Sequence, residues 1–381
     1  MTVYLDHNAT TPLDERVLDS MMPYMTRYFG NPSSLHRNGR TAKTAVELAR
    51  EQVAALVNAH PSQVVFTSGG TESNNLAIKG ACSPNSVGNI AISSIEHPSV
   101  TRPAIALQAL GWNLSNIPVD SSGLVCANSL TRFMQSGLHM VSIMMANNET
   151  GVVQDISAIG AELRENGVLF HTDAVQAVGK MPVDFNALNV HFLSLSAHKI
   201  YGPKGTGALV LDKNISVNPI IHGGSQENGY RAGTESVASI VGFGKAAELA
   251  VSELHSRNEK ITQLRQRLVT GLQTIEGVRF VTGNTGGLAN TLMVVVNEID
   301  GETLLMQLDR DNIAVSSGSA CSSESPETSH VLRAMGISDS EARSAIRISL
   351  GKDNTGEDID ALVASIHRQK AMFSDLKMVA Y

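Results

Sequence analysis

Lys199 closes the run Phe192-Leu193-Ser194-Leu195-Ser196-Ala197-His198-Lys199 and stands just ahead of a Gly-Pro-Lys-Gly turn at 202–205. A lysine in a desolvated pocket has a lowered pKa, so its free amine can form a Schiff base with a carbonyl compound. An exposed lysine at the start of a loop is the competing reading. Four other short apolar runs also end in polar groups. The run at 64–67 leads into Ser68-Gly69-Gly70-Thr71, and that at 90–93 into Glu96-His97. The run at 141–145 leads into Asn147-Asn148-Glu149, and that at 168–170 into His171-Thr172-Asp173, with Gln176 one turn on. Ligands of open α/β sheets bind at the carboxyl ends of the strands. Five such endings together describe a pocket.

Within that pocket the residue types sort by chemistry. Ser68-Gly69-Gly70-Thr71, after a strand and before a helix, offers backbone N–H groups and hydroxyls to an anion. A tight turn with no ligand has the same composition, and no Gly-Lys-Ser/Thr closes it as a nucleotide loop would. Ser196 and His198 flank the lysine and complete a phosphate cradle. Asp173 suits a pyridinium nitrogen, since a carboxylate there keeps the ring protonated and electron-withdrawing; a helix N-cap explains it equally. His97 is placed to stack on a flat ring and carry protons, or is a satisfied core histidine. Arg347, inside the apolar stretch 345–350, is costly unless paired, either with a substrate carboxylate or in an internal salt bridge. Cys321 lies among small residues at 316–325, where a mobile loop can deliver and withdraw a thiol whose reactive form is the thiolate. Cys82 and Cys126 have no supporting groups and read as inert. No pair of candidate ligands has metal-binding spacing.

The elements that must hold these groups follow from patterning. Apolar residues recur at helical spacing over 41–57. The five runs then alternate with helix-like stretches, the pattern of a mainly parallel sheet covered on both faces. A helical region from near Ser236 to about Ile275, with a break, reads as a bridge to a second unit. That unit has strands expected at 278–281, 291–296, 313–315 and 345–350. A last helix starts near Thr355, whose spacing to Asp358 suits a capping box. The chain has 381 residues, 42% of them apolar, enough for two domains. Its net charge of -7 shows no basic patch for nucleic acid. Three cysteines, widely spaced, argue for a reducing compartment. With neither a signal-like N-terminus nor a spanning apolar run, a cytoplasmic protein off the membrane is expected.

The sequence resembles the cysteine desulfurases of the NifS/IscS branch, class-V members of the fold-type-I pyridoxal-phosphate enzymes. The segments that carry the resemblance start at the N-terminus with Tyr4-Leu5-Asp6-His7-Asn8-Ala9-Thr10-Thr11-Pro12 and Phe29-Gly30-Asn31-Pro32-Ser33-Ser34. They continue with Thr67-Ser68-Gly69-Gly70-Thr71-Glu72-Ser73-Asn74-Asn75, Ala197-His198-Lys199-Ile200-Tyr201-Gly202-Pro203-Lys204-Gly205, Arg231-Ala232-Gly233-Thr234 and the Ser-Ser-Gly-Ser-Ala-Cys segment ending at Cys321. The resemblance implies an α/β fold: a large domain over 16–255 with a mainly parallel seven-stranded sheet, and a smaller α+β domain from 1–15 and 256–381 carrying the Cys321 loop. It implies pyridoxal 5'-phosphate held by Lys199, with His97 stacked on the ring as acid and base and Asp173 on the ring nitrogen. Gln176 and Asn147 would contact the ring oxygen or the substrate. Gly70, Thr71, Ser196 and His198 would hold the phosphate, joined by Thr234 from the second subunit of a homodimer. Arg347 would bind the carboxylate of L-cysteine, and Cys321 would take its sulfur as a persulfide, release alanine and pass the sulfur to an acceptor. The competing activities are a selenocysteine lyase or another class-V aminotransferase-type enzyme. The chain stops at Tyr381, soon after its last helix, whereas relatives of the IscS type continue into a tail that docks the iron–sulfur scaffold. The acceptor therefore stays open between that scaffold and a dedicated cluster, thio-nucleoside or other sulfur pathway.

Overall fold

A computed structural model describes residues 2–82, 87–134, 137–282, 287–317 and 328–379, apart from the side chains of 127, 128 and 374–379. The chain opens with β1 (Val3–Tyr4), α1 (Glu15–Thr26) and α2 (Arg37–Leu56). It then alternates β2 (Val64–Thr67), α3 (Gly70–Ala81), β3 (Asn89–Ser93), α4 (Pro98–Gln108), β4 (Asn113–Ile117), α5 (Ala127–Met134), β5 (Leu138–Ser142), α6 (Ile156–Glu165) and β6 (Leu169–Asp173). Strands β7 (Phe192–Ser196) and β8 (Gly207–Leu211) follow, then the helices α7 (Val237–Ser252) and α8 (Leu254–Gln273). The remainder is β9 (Val278–Phe280), β10 (Thr291–Val296), α9 (Gly301–Arg310), β11 (Ile313–Ala314), β12 (Ser316–Ser317), α10 (His330–Ala334), α11 (Asp339–Arg343), β13 (Ala345–Ser349) and α12 (Gly356–Val379).

Seven strands form one sheet in the order β2-β8-β7-β6-β5-β3-β4. Pairing is parallel from β7 through β6, β5 and β3 to β4, and antiparallel on both sides of β8. Two antiparallel steps restore direction, so β2 points the same way as β7 and only β8 is reversed. The carboxyl ends of β2, β3, β5, β6 and β7 therefore share one rim. Every residue of β2, β7 and β8 is buried, as expected of strands covered on both faces. One core cluster joins Val46, Ala49 and Val53 of α2 and Phe243, Ala246 and Ala250 of α7 to this sheet. These residues share one helix face because they recur three and four apart.

A second sheet, β12-β13-β10-β9, is antiparallel throughout. Its core gathers Leu292 and Val294 of β10, Ile346 and Ile348 of β13, Leu264 and Leu268 of α8, Ile359 and Leu362 of α12, and Leu5 from the N-terminal segment. The break between α7 and α8 falls at Glu253, whose carboxylate holds both Arg16 and Arg257. α7 thus packs on the first core and α8 on the second. At the start of α12, Thr355 N–H donates to Asp358, and Asp358 N–H donates back to Thr355 Oγ1, the reciprocal arrangement of a capping box.

The sequence reading differs from the structure in three strands. The expected run at 141–145 is placed three residues late, because β5 is Leu138–Ser142; Ile143 and Met145 still donate to the carbonyls of His171 and Asp173. Strand β4, Asn113-Leu114-Ser115-Asn116-Ile117, lies at the sheet edge with little apolar signal. Strand β8 is a short apolar run inserted between β2 and β7, and Gly207 permits its close packing: a Cβ there would lie 2.6 Å from the Gly69 backbone. Among the described residues no helix is long and apolar enough to cross a membrane.

Candidate active site

The shared rim opens into a cavity of about 420 Å³, within the usual size range of small-molecule sites. Lys199, from the 3-10 turn after β7, and Asp173, the last residue of β6, both line it. So do His97 after β3, Gln176 after β6, and Arg347 of β13. Lys199 Nζ donates to the carbonyls of Asn8 and Ala9, each at 2.6 Å. Asp173 accepts from the Val175 N–H at 3.0 Å and from Asn74 Nδ2 at 2.7 Å. Its Oδ1 thus serves the turn that follows β6, while its other oxygen faces a side chain from α3. Burial pushes the His97 imidazole below its ordinary pKa; Asp173 opposes that shift, and Lys199 and His330 add to it. The net effect favours the neutral imidazole.

A second cavity adjoins the first, and the two share Ala9, Gly70, Thr71, Ser196 and His198 in their walls. It is lined further by Ser68, Gly69 and Lys204. Helix α3 begins here with Gly69 at its N-cap and no side-chain cap, so its first N–H groups are left for an anion. Gly69 has φ 152 and ψ 179, a conformation that L side chains rarely adopt. Burial, then Lys199 and Lys204, lower His198 to about 4. A neutral His198 can still donate a hydrogen bond. One compartment thus offers an amine, a carboxylate and an imidazole; the adjoining one offers a helix N-terminus, hydroxyls and Lys204. That division fits a flat pyridinium ring bearing a phosphate.

Arg347 is buried at the far side of the first cavity. Its Nη2 pairs with Asp6 at 2.7 Å and its Nη1 donates to the Asn148 carbonyl at 3.1 Å, while Nε has no partner among the described residues. A carboxylate arriving there would find one guanidinium edge unused. The N-terminal segment contributes more than its sequence suggested. The Asn8 carbonyl accepts from Lys199 and from Gln176 Nε2; its Oδ1 accepts from Lys180 Nζ and from Asn290 Nδ2. Lys180 also donates to Gln176 Oε1 at 2.5 Å. Burial, then Lys199 and Arg347, hold its pKa well below the usual lysine value.

Not every expected residue reaches the cavity. Asn147 is fully buried in the turn after β5: its Oδ1 accepts from Glu149 N–H, Thr150 N–H and Thr150 Oγ1, and its Nδ2 donates to the Ile95 carbonyl. With its amide spent on that turn, the wall position goes to Asn148. Thr234 is exposed and lies outside the first two cavities, in a separate hollow with Ser68 and Arg231. Cys321 lies outside the described residues; the chain before it reaches the cavity wall at Ser316. Burial raises the Cys82 thiol to about 12, the mark of an unreactive cysteine. Asp6, Asn8, Asn74, Ser99 and Lys180 were missed by the sequence reading. For Asp6 and Asn8 the signal was present, since they follow the apolar pair Tyr4-Leu5 as other polar groups follow the longer runs.

Known proteins match this arrangement over nearly its full length. The Aminotransferase class-V family model covers residues 3–362. A cysteine desulfurase IscS of Methanosarcina thermophila is 45% identical over 95% of this chain and 90% of its own. Another, of Methylobacillus flagellatus, is 47% identical over 94% of this chain and 89% of its own. A solved NifS-like protein superposes with a TM-score of 0.92 at 38% identity, covering 98% of this chain and 100% of that one. The structure described as SspA in complex with cysteine gives 0.81 at 34% identity, covering 93% and 100%. With a rim of strand ends built for a phosphorylated ring, the chain belongs to the class-V aminotransferase family, on its cysteine desulfurase branch.

Proposed function

We propose that this chain removes sulfur from L-cysteine with pyridoxal phosphate as cofactor, and that the residues gathered at the rim divide the work. The observation that carries the reading is the convergence of Lys199, Asp173, His97 and Arg347 on one cavity beside an uncapped helix N-terminus. When bound, the cofactor supplies an electron sink for charge developing on the substrate carbon. Lys199 would hold it covalently, and its Nζ would move protons on the substrate. Asp173 would pair with the ring nitrogen, and His97 would lie beside the ring and exchange protons as a neutral base. Gly70, Thr71, Ser196 and His198 hold the phosphate, and Gln176 the ring oxygen. Arg347 orients the substrate carboxylate. The Cβ–S bond of L-cysteine breaks, its sulfur joins Cys321 Sγ as a persulfide, and hydrogen takes its place on carbon to give L-alanine. Carbon is reduced as sulfur is oxidised, so no outside oxidant is required. The persulfide then passes to an acceptor by thiol exchange.

Two further parts of the reading concern assembly. Residues 16–255 form the cofactor-binding domain, and 1–15 with 256–381 the smaller one. The separation of the two main core clusters supports this, Leu5 belonging with the second. The chain works as a homodimer in which Thr234 reaches the partner's phosphate site. An exposed Thr234, and a strongly exposed apolar stretch comprising Met25, Tyr28, Phe29 and Leu35, support a second copy as the covering surface.

Purified Cys321→Ser and Lys199→Ala proteins test the reading together. The first should keep the visible absorbance of the bound cofactor and lose alanine production from L-cysteine. The second should lose that absorbance. Alanine formation at the parent rate by Cys321→Ser, or an unchanged spectrum for Lys199→Ala, sinks it.

A further inference from the structure

Within the cavity wall a run of largely buried side chains connects Asp173 to His97. Asn74, on α3, is 1% exposed, and Ser99, at the start of α4, is 7% exposed. Asn74 Nδ2 lies 2.7 Å from Asp173 Oδ2 and 2.8 Å from Ser99 Oγ; Ser99 Oγ lies 2.7 Å from His97 Nδ1. The His97 Nδ1 also accepts the Ser99 backbone N–H at 3.1 Å, as the N-cap of α4. Donor and acceptor roles follow from what each group can do. A carboxylate only accepts, so Asn74 must turn its NH2 toward Asp173. The second N–H of the same NH2 goes to Ser99 Oγ, and the Asn74 carbonyl oxygen is left buried with no partner among the described residues. A backbone N–H only donates, so His97 Nδ1 must carry a lone pair. The Ser99 hydroxyl, having accepted from Asn74, gives its own proton to that lone pair.

We infer that Asn74 and Ser99 are positioning residues: Asp173 sets the Asn74 amide, whose NH2 donates both to Asp173 and to Ser99, and Ser99 in turn fixes His97 as the neutral tautomer with its proton on Nε2. This rests on the proposed roles of Asp173 and His97, and it adds two residues of the cavity wall that act through His97. The orphaned Asn74 carbonyl is the telling feature. Leaving a buried acceptor unpaired costs about 1–3 kcal/mol, and an apolar side chain would avoid it. The cost is offset only because both Asn74 N–H groups are spent on the chain. Protonating His97 at Nδ1 reverses the last link and gives up the backbone N–H bond. The chain therefore works in the same direction as burial and the charges of Lys199 and His330, and against the attraction of Asp173. Those three are the charged or titratable groups that act on the ring.

The test is a titration of His97 in full-length holoenzyme carrying histidine labelled at the ring carbon, for the parent, Ser99→Ala, Ser99→Thr, Asn74→Ala and the double Ser99→Ala/Asn74→Ala proteins. The His97 midpoint should rise by about 0.5–1 pH unit in Ser99→Ala, the effect of one ordinary hydrogen bond. Ser99→Thr keeps the hydroxyl and should titrate like the parent. Asn74→Ala should raise the midpoint too, and the double variant should rise no further than the larger single change, since both cuts sever one chain. Additive rises, or a midpoint that does not move in Ser99→Ala, overturn the inference. Ser99→Ala is a near-isosteric change and keeps the test open if Asn74→Ala does not fold. A parent protein without the visible cofactor band would instead show that the proposed function has failed, an outcome read separately from the titration.

Discussion

Glu96, immediately before His97, is fully buried, and replacing it with glutamine should stabilise the protein in a pH-dependent way. Its Oε1 accepts from Ser93 Oγ at 2.8 Å and from the Met144 N–H at 2.6 Å, tying the end of β3 to the chain leaving β5; Oε2 has no partner among the described residues. Burial pushes the carboxyl up to about 8, helped by nearby Asp173 and opposed by the two hydrogen bonds. At neutral pH the folded protein therefore holds Glu96 protonated, whereas the unfolded chain ionises it near its ordinary value of 4.5. A raised carboxyl costs nothing below the unfolded pKa. The cost then grows by about 1.4 kcal/mol per pH unit and levels off above the folded pKa. At pH 7 it is about 3 kcal/mol. Glutamine matches the protonated shape and does not titrate. With an unfolding entropy of roughly 2.1 cal/mol/K per residue, Glu96→Gln should melt about 4 °C above the parent at pH 7 and level with it near pH 4.5. Calorimetry at several pH values on matched samples reads this directly. A gap that is constant between pH 5 and 8, or that closes as pH rises, refutes a neutral buried Glu96.

Two other consequences are open to the same kind of check. Arg50 and Glu227 form a buried bidentate pair at 2.7 and 2.8 Å, and Glu227 also accepts the Phe66 N–H; Glu227→Ala leaves the largely buried guanidinium with only the half-exposed Glu47 and the Val64 carbonyl and should cost about 3 kcal/mol in urea unfolding, while a loss below about 1 kcal/mol would show that the pair does not hold the 226–229 turn against α2. Cys82, with its thiol raised to about 12 by burial, should stay unalkylated by iodoacetamide in the native protein at pH 8 and react after denaturation; peptide mapping that finds Cys82 modified in the native state contradicts the burial.

The rim was legible in the sequence because strand direction and chemistry coincide there. Residues 68–71, 97, 173 and 196–199 follow apolar runs, and a parallel sheet sends all such endings to one edge. Missing β8 did no harm to this reading. A single reversed strand changes the neighbours of β2 and β7 but not the direction in which either one points. Asn147 fared differently. Periodicity places a polar pair after β5 but does not decide which amide faces the cavity and which closes the turn. That choice belongs to the turn between Asn147 and Val152, whose N–H groups need an acceptor.

What stayed hidden are the side chains whose importance comes from partners distant in sequence. Asn8 meets Lys180, Gln176 and Lys199 across more than 160 positions; its place after Tyr4-Leu5 marks it as a rim residue, but nothing local names those partners. Asn74 is one polar residue on a helix, indistinguishable in sequence from Asn75, its neighbour. Their surroundings separate them: Asn74 is buried against Asp173 and Ser99, whereas Asn75 is spent on the Thr71 carbonyl one turn back on the same helix. A buried amide is tolerated only where most of its hydrogen bonds are met, so each fully buried Asn near this rim records the partners that hold it. Asn8, Asn74 and Asn147 each answer to a different one: the amines at 180 and 199, the carboxylate at 173, and the backbone of its own turn. The rim residues carry the types that the proposed chemistry needs, and these amides help to determine where they stand.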